Sequence, residues 1–293
     1  MSRFNWPNGY QACMCLSWDM DGESAFYFRN PEEAKMQLSE LVQRSYGPNV
    51  GIYKILDMLD RQGVPGTFFV PGYTARLHPE AVEEITKRGH PVGIHGYMHE
   101  TMEKLDDKEE RDMFRASIKA IREVSGKKPK IFRSPSFELN RRTPEILLAN
   151  GIFTDSSLMG DDMPYLMNVG DSKLLELPVQ WIMDDFEFWG HTKSNRQKPI
   201  SDPEATVRIW KNELAGIHEN GGIFILTMHP FVSGRWVYLK AIEDFIKFAK
   251  HLPGLWIADM EEVSDYCLKP DVMESLKARS PPSPAPLDFK DFS

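Results

Sequence analysis

Residues 12–23 read ACMCLSWDMDGE, an apolar run interrupted only by Ser17 and closed by two aspartates and a glycine. A short apolar run closed by a turn signal fits a strand buried on both faces, as in a parallel sheet. Beyond it, short apolar runs alternate with longer helical patterns. The runs at 65–72 (PGTFFVPG), 91–96 (PVGIHG), 130–135 (KIFRSP), 152–157 (IFTDSS), 174–181 (LLELPVQW), 221–230 (GGIFILTMHP) and 254–260 (GLWIADM) complete a set of eight candidate strands. Helical periodicity covers 49–62, 78–90, 108–125, 203–219 and about 235–250.

This alternation predicts an α/β fold of parallel strands joined by right-handed crossovers. A (β/α) barrel, regular or distorted, is expected, with a doubly wound open sheet as the alternative. In both architectures chemistry gathers at the C-terminal ends of the strands. The polar, reactive stretches fall there: WDMDGE ends the first strand, HGYMHE the third, RSP the fourth, DSS the fifth, MDDFE the sixth and MHP the seventh. Scattered surface charge would not choose the same end of six strands.

The chain has 293 residues, 41% of them hydrophobic, and a net charge of −8. That is ample for one buried core, expected over residues 1–270, followed by a proline-rich tail over 271–293. The acidic balance argues against nucleic acid as a partner, and no apolar run reaches the ~20 residues of a membrane span. Cys13, Cys15 and Cys267 read as reduced core residues, since an odd set with a C-x-C inside an apolar run makes no disulfide framework. The N-terminus lacks a secretion signal, so a cytoplasmic protein is expected. Residues 22–48 form a long excursion after the first strand, of the kind used for lids, binding loops or subunit contacts.

Within GIHGYMHE (93–100), His95 and His99 lie four apart, about one helical turn, so that both imidazoles can point the same way. The motif lacks the glutamate of H-E-x-x-H, so any base and third ligand must come from elsewhere. Asp19 and Asp21 close the first strand, and two carboxylates side by side are costly to bury without a cation or hydrogen bonds. One carboxylate with two imidazoles is a three-ligand set for catalytic zinc, and the second carboxylate is then free to act as a base. Phe186, Phe188 and Trp189 are candidates to line a substrate pocket.

The stretches SWDMDGE, RSYGPNVGIYKIL, GTFFVPG, GHPVGIHGYMHE, FRSPSFELN, FTDSSLM, VQWIMDD and TMHP, in this order from about residue 10 to 265, resemble the polysaccharide deacetylase (NodB-like) superfamily, carbohydrate esterase family 4. The resemblance is to its branch of peptidoglycan deacetylase-like, allantoinase-like and cyclic imide hydrolase proteins. It implies a single-domain distorted (β/α) barrel of seven or eight strands. It further implies Asp21, His95 and His99 as metal ligands, Asp19 as catalytic base, His229 as general acid and Arg133 as the arginine that holds the base. Asp184 or Asp185 would orient His229, with the choice between them open. The family's adjacent aspartates are here separated by Met20, a D-x-D form resembling the branch that keeps its metal. Zinc suits the set best, with cobalt or manganese as alternatives.

The implied activity is metal-dependent hydrolysis of a non-peptide carbon–nitrogen bond. A cytosolic cyclic imide or ureide hydrolase is favoured slightly, because the excursion and the 186–204 loop are long enough to roof the barrel mouth. Removal of N-acetyl groups from peptidoglycan or another glycan is the alternative, and a catalytically inactive ligand-binding relative is a third. The branch also implies a homo-oligomer, dimer or tetramer.

Overall fold

A computed structural model of the chain describes residues 4–282. The opening run forms β1 (Ala12–Asp19), buried along its whole length. Its side chains alternate between two apolar clusters, as the two-residue period of a strand requires. Met14, Leu16 and Trp18 pack with Ile52, Leu56 and Phe245 of the covering helices. Cys13 and Cys15 pack on the other face with Phe69, Ile131, Leu175 and Ile225. Ser17 and Asp19 share the parity of the cysteines, so the inner face of β1 ends in polar groups.

The remaining strands are β2 (Thr67–Val70), β3 (Val92–Ile94), β4 (Ile131–Phe132), β5 (Thr154–Asp155), β6 (Tyr165–Val169), β7 (Ser172–Glu176), β8 (Ile223–Met228), β9 (Leu255–Ile257) and β10 (Ala278–Arg279). The ladder runs β10-β6-β7-β5-β4-β3-β2-β1-β8, with β9 also paired to β1. Every pairing is parallel except β6 with β7. Among the described residues the sheet does not close into a full ring. A single bridge from Asp184 to Thr227 spans the gap between β8 and the chain leaving β7. The barrel is therefore distorted, as expected, and open at one seam.

Helices cover the outer face where the periodicity placed them: Ile52–Gln62, Pro79–Lys87, Asp107–Ser125, Pro203–Asn220 and Trp236–Lys250. Local chemistry sets their ends. Asp106 and Glu109 make a reciprocal capping box, Asp202 caps the helix at 203, and Gly126 and Gly221 stop their helices in the left-handed conformation.

Three expectations are corrected. The stretch 174–181 is not one strand: β7 ends at Glu176 and is half of an antiparallel hairpin with β6. The excursion is helical, with Ser24–Arg29, Pro31–Ala34 and Leu38–Tyr46 leading through a π-helical stretch, Gly47–Gly51, into the helix at 52. Part of the expected tail is built in, since Pro270–Met273 is helical, Leu276 is buried and β10 adds to β6; residues 283–293 of the tail lie outside the described residues.

The π-helical stretch lies against Pro230–Ser233, the turn that follows β8. A Cβ on Gly51 would sit 2.2 Å from the carbonyl oxygen of Pro230, which belongs to backbone and cannot swing aside. Gly51→Ala is expected to destabilise the fold by about 1–3 kcal/mol, as overpacking of a close contact does. A lowered urea midpoint at unchanged m-value would register it.

Candidate active site

The polar residues expected at the strand ends converge there. Asp19 ends β1 and Asp21 follows it; they are 3% and 6% exposed, values that make their solvation by water negligible. Gly22, at φ +57°, turns the chain away. The hydroxyls of Ser24 and Thr74 both donate to the Asp21 carbonyl, at 2.6 and 2.5 Å, and hold that turn.

His95 leaves the end of β3, and its Nε2 lies 3.4 Å from Oδ1 of Asp21 and 3.8 Å from Oδ2 of Asp19. His99 Nε2 lies 3.6 Å from the other Asp21 oxygen. The two rings meet edge to face, centroids 5.0 Å apart. They do not converge by sharing a helix face, contrary to the spacing argument. Gly96 and His99 both have positive φ, +70° and +58°, and Glu100 accepts from the backbone N–H of Tyr97 and Met98. A tight turn brings the imidazoles together.

The donor set fits a divalent cation. Ligand atoms of Asp21, His95 and His99 lie within 4.8 Å of one another, and Oδ1 of Asp21 is buried without a hydrogen-bond partner. His95 Nδ1 pairs with the Arg133 carbonyl at 2.9 Å, which fixes the hydrogen on Nδ1 and leaves the Nε2 lone pair for a metal. Burial pushes the His99 imidazole down to about 3, so it is neutral, the form that ligates. Burial opposes ionisation of Asp21, but the imidazoles of His99, His229 and His95 hold its carboxyl below the usual range.

Arg133 is fully buried and makes its contacts inside the barrel. Nη1 donates to Asp19 Oδ1 and to Ser17 Oγ, both at 2.9 Å. Nε and Nη2 donate to the carbonyl and hydroxyl of Ser156, at 3.2 Å each. Its guanidinium stacks over Phe69, 4.2 Å from the ring centre. The Ser156 loop is in turn held by Glu176, which accepts from the N–H of Ser157 and Leu158. Burial raises Glu176 and its register partner Asp155 toward the protonated form. Sequence reading missed Glu176; an acid within an apolar strand, LLELP, was the available signal.

His229 follows β8. Its Nδ1 donates to Asp185 Oδ1 at 2.8 Å, and its backbone N–H donates to the other Asp185 oxygen at 3.0 Å. Asp184 is 3.7 Å from the same nitrogen and instead caps the backbone N–H of Phe186. Burial works against charge on His229, but Asp184 and Asp185 more than offset it and raise the imidazole well above its ordinary value. Burial likewise pushes Asp184 up to about 7.

A cavity of about 230 Å³ opens among Asp19, Asp21, His95, His99, Asp184 and His229. Phe186 and Trp181 contribute to its wall. Trp189 does not: it is buried in the core, stacked on Tyr238 at 4.5 Å, with its N–H on Thr206. The short helix Asp185–Trp189 turns it inward while Phe186 faces the site.

The description "polysaccharide deacetylase" belongs to the family model that matches residues 46–153. A solved Mycobacterium smegmatis structure assigned to the polysaccharide deacetylases superposes with a TM-score of 0.91 and 35% identity, covering 97% of this chain and 98% of the other. On that relationship the chain belongs to the polysaccharide deacetylase family. A Helicobacter pylori peptidoglycan deacetylase is 28% identical over 76% of this chain and 86% of its own. An allantoinase shares the fold, with a TM-score of 0.78 at 18% identity, over 91% of this chain and 93% of its own.

Removing Arg133 would strand Asp19 as an unpaired buried carboxylate. Arg133→Ala is expected to cost about 3–5 kcal/mol of stability, measured by denaturant unfolding, because a broken buried pair leaves one charge uncompensated. A cost below about 1 kcal/mol, the range of exposed pairs, would contradict the assignment.

Proposed function

We propose that the chain is a divalent-metal-dependent hydrolase of a small cyclic imide or ureide. The family supplies hydrolytic chemistry at carbon–nitrogen bonds; the size and roofing of the cavity support the small substrate. Pockets for drug-sized ligands usually span about 300–1,000 Å³, and this one is about 230 Å³. Two segments cross its mouth and are tied to each other. Gln43 donates to the carbonyl of His191 at 2.5 Å, the Lys193 N–H donates to Glu40 at 3.2 Å, and the Lys193 ammonium pairs with Glu33 at 2.5 Å. A roof of this kind suits a ring and obstructs a glycan chain.

A cation held by Asp21, His95 and His99, with zinc preferred over cobalt or manganese, would supply Lewis-acid activation of a water and of the substrate carbonyl. Asp19, immobilised by Arg133, takes a proton from the attacking water. His229 gives its proton to the departing nitrogen, and Asp185 fixes the imidazole and favours its charged form. The same reading places the protein in the cytoplasm as a homo-oligomer. Leu38 and Val42, on one face of the helix Leu38–Tyr46, and Trp236 are exposed apolar side chains suited to a contact.

Ring-opening of succinimide or maleimide by zinc-loaded protein, followed by absorbance, tests the reading. Asp21→Ala is expected to lose both metal and turnover. Asp19→Asn should retain stoichiometric metal while turnover falls by about 10²–10⁴, the share of a general base. The H. pylori relative supports N-deacetylation as the second reading. Absent imide turnover in protein shown to hold zinc, together with acetate release from acetylated chitooligosaccharides, would establish it instead.

The raised His229 also fixes a pH response. A folded-state value above the ordinary 6.5 means that the imidazolium persists through neutrality and is lost only as pH rises through the raised value. Turnover should therefore fall on the alkaline side. Asp185→Asn removes one of the groups that raise His229 and should move that limb to lower pH, read from kcat against pH.

A further inference from the structure

Arg29 ends the helix Ser24–Arg29, and its guanidinium lines the mouth of the catalytic cavity. Nη2 lies 3.2 Å from Nδ1 of His99 and 3.1 Å from Oγ of Ser136. The other cations around the cavity are matched. Arg133 pairs with Asp19 at 2.9 Å, His229 with Asp185 at 2.8 Å and Arg44 with Glu40 at 3.0 Å. Arg29 has no carboxylate within 4.0 Å among the described residues. The foremost anion acting on it is Asp21, whose charge is committed to the metal set.

Its present partners also point to an acceptor still to come. Arginine only donates, so its contact with Nδ1 requires the His99 tautomer that carries hydrogen on Nε2. Ligation through Nε2 requires the opposite tautomer, which ends that contact and frees the guanidinium. Ser136 and Phe137 adopt positive φ, +57° and +58°, unusual for residues with a Cβ. Strain of this kind is held where geometry matters to function, and here it presents the Ser136 hydroxyl beside Arg29.

We propose that Arg29 is a specificity-determining residue that binds a carboxylate on the substrate. The guanidinium fork matches a carboxylate with two parallel N–H donors. The preferred substrates are then small amides, imides or ureides that carry an acidic substituent near the scissile bond. The proposal rests on the hydrolase reading above and narrows its substrate class.

The test compares hydantoin with hydantoin-5-acetate, a neutral ring and its carboxylated counterpart, on zinc-loaded wild type, Arg29→Gln and Arg29→Lys. Metal content is measured in each, so that a loss acting through His99 is recognised. The wild type is expected to favour the carboxylated ring in kcat/KM. Arg29→Gln should lower that preference by about 10- to 100-fold, the worth of a charged hydrogen bond, and Arg29→Lys should restore part of it. A preference unchanged in Arg29→Gln, or a wild type that opens only hydantoin, overturns the proposal and leaves the hydrolase reading standing. Should wild type open neither ring, turnover of succinimide decides the hydrolase reading, and calorimetry with succinate on the same full-length proteins decides the role of Arg29. Affinity weakened at least tenfold in Arg29→Gln upholds the anion site, and equal affinity overturns it.

Discussion

The buried pair of Arg133 and Asp19 is the constraint around which the rest of the site is arranged. One guanidinium reaches β1 through Ser17 and Asp19, β2 through the ring of Phe69, and the loop after β5 through Ser156. Its own backbone carbonyl receives Nδ1 of His95 from the end of β3. A buried pair of this kind is weak as a source of net stability, because desolvation consumes much of the attraction. Its value here is registry: Asp19 and His95, the base and one metal ligand of the proposed reaction, are referred to the same residue. A shift of any neighbouring strand would strand a buried charge, so the strand ends are held in mutual register.

Two clusters of carboxylate and imidazole lie at the mouth of the barrel, and either could in principle hold a metal ion. Asp21, His95 and His99 form one, and Asp184, Asp185 and His229 the other. Hydrogen bonding does distinguish them. Both oxygens of Asp185 are occupied by His229, through its ring and its backbone, so that cluster is complete as it stands. Asp21 keeps an unpartnered buried oxygen facing the His95 ring. An ionised acceptor with no donor calls for a cation, whereas a carboxylate that already holds an imidazolium calls for nothing further. The first cluster suits a cation and the second a proton.

Much of this was legible in the chain. The buried strands β1, β2, β3 and β8 were readable from apolar runs, because a strand covered on both faces has no other composition. The reactive ends were readable from their common position after those runs. The β6–β7 hairpin was not, although NVGDS carries a Gly-Asp turn between its strands, because its partly polar residues break the alternation. The choice between Asp184 and Asp185 was illegible for a different reason. Adjacent residues point in different directions, and the direction is set by the lone bridge from Asp184 to Thr227, a tertiary pairing. Trp189 failed on the same ground, one helical turn placing it on the core side. Arg29 carried no signal at all, since a single arginine in a six-residue helix has significance only beside His99 and Ser136.

The roof proposed over the cavity is not uniformly held. Its ties differ in depth. Glu40 is buried, pairs with Arg44 on its own helix, and accepts the Lys193 N–H from the opposite segment. The pair of Lys193 with Glu33 is some 40–47% exposed, where an ion pair contributes little and is screened by salt. The part of the roof joined by this surface pair is the less stable part and opens first, while the strands beneath stay closed. Opening at the Lys193 side would leave Glu40 and Arg44 in place on their helix. Asp19, His95 and His229 are held at strand ends beneath the roof, whereas His99 is in contact with the roof segment through Arg29.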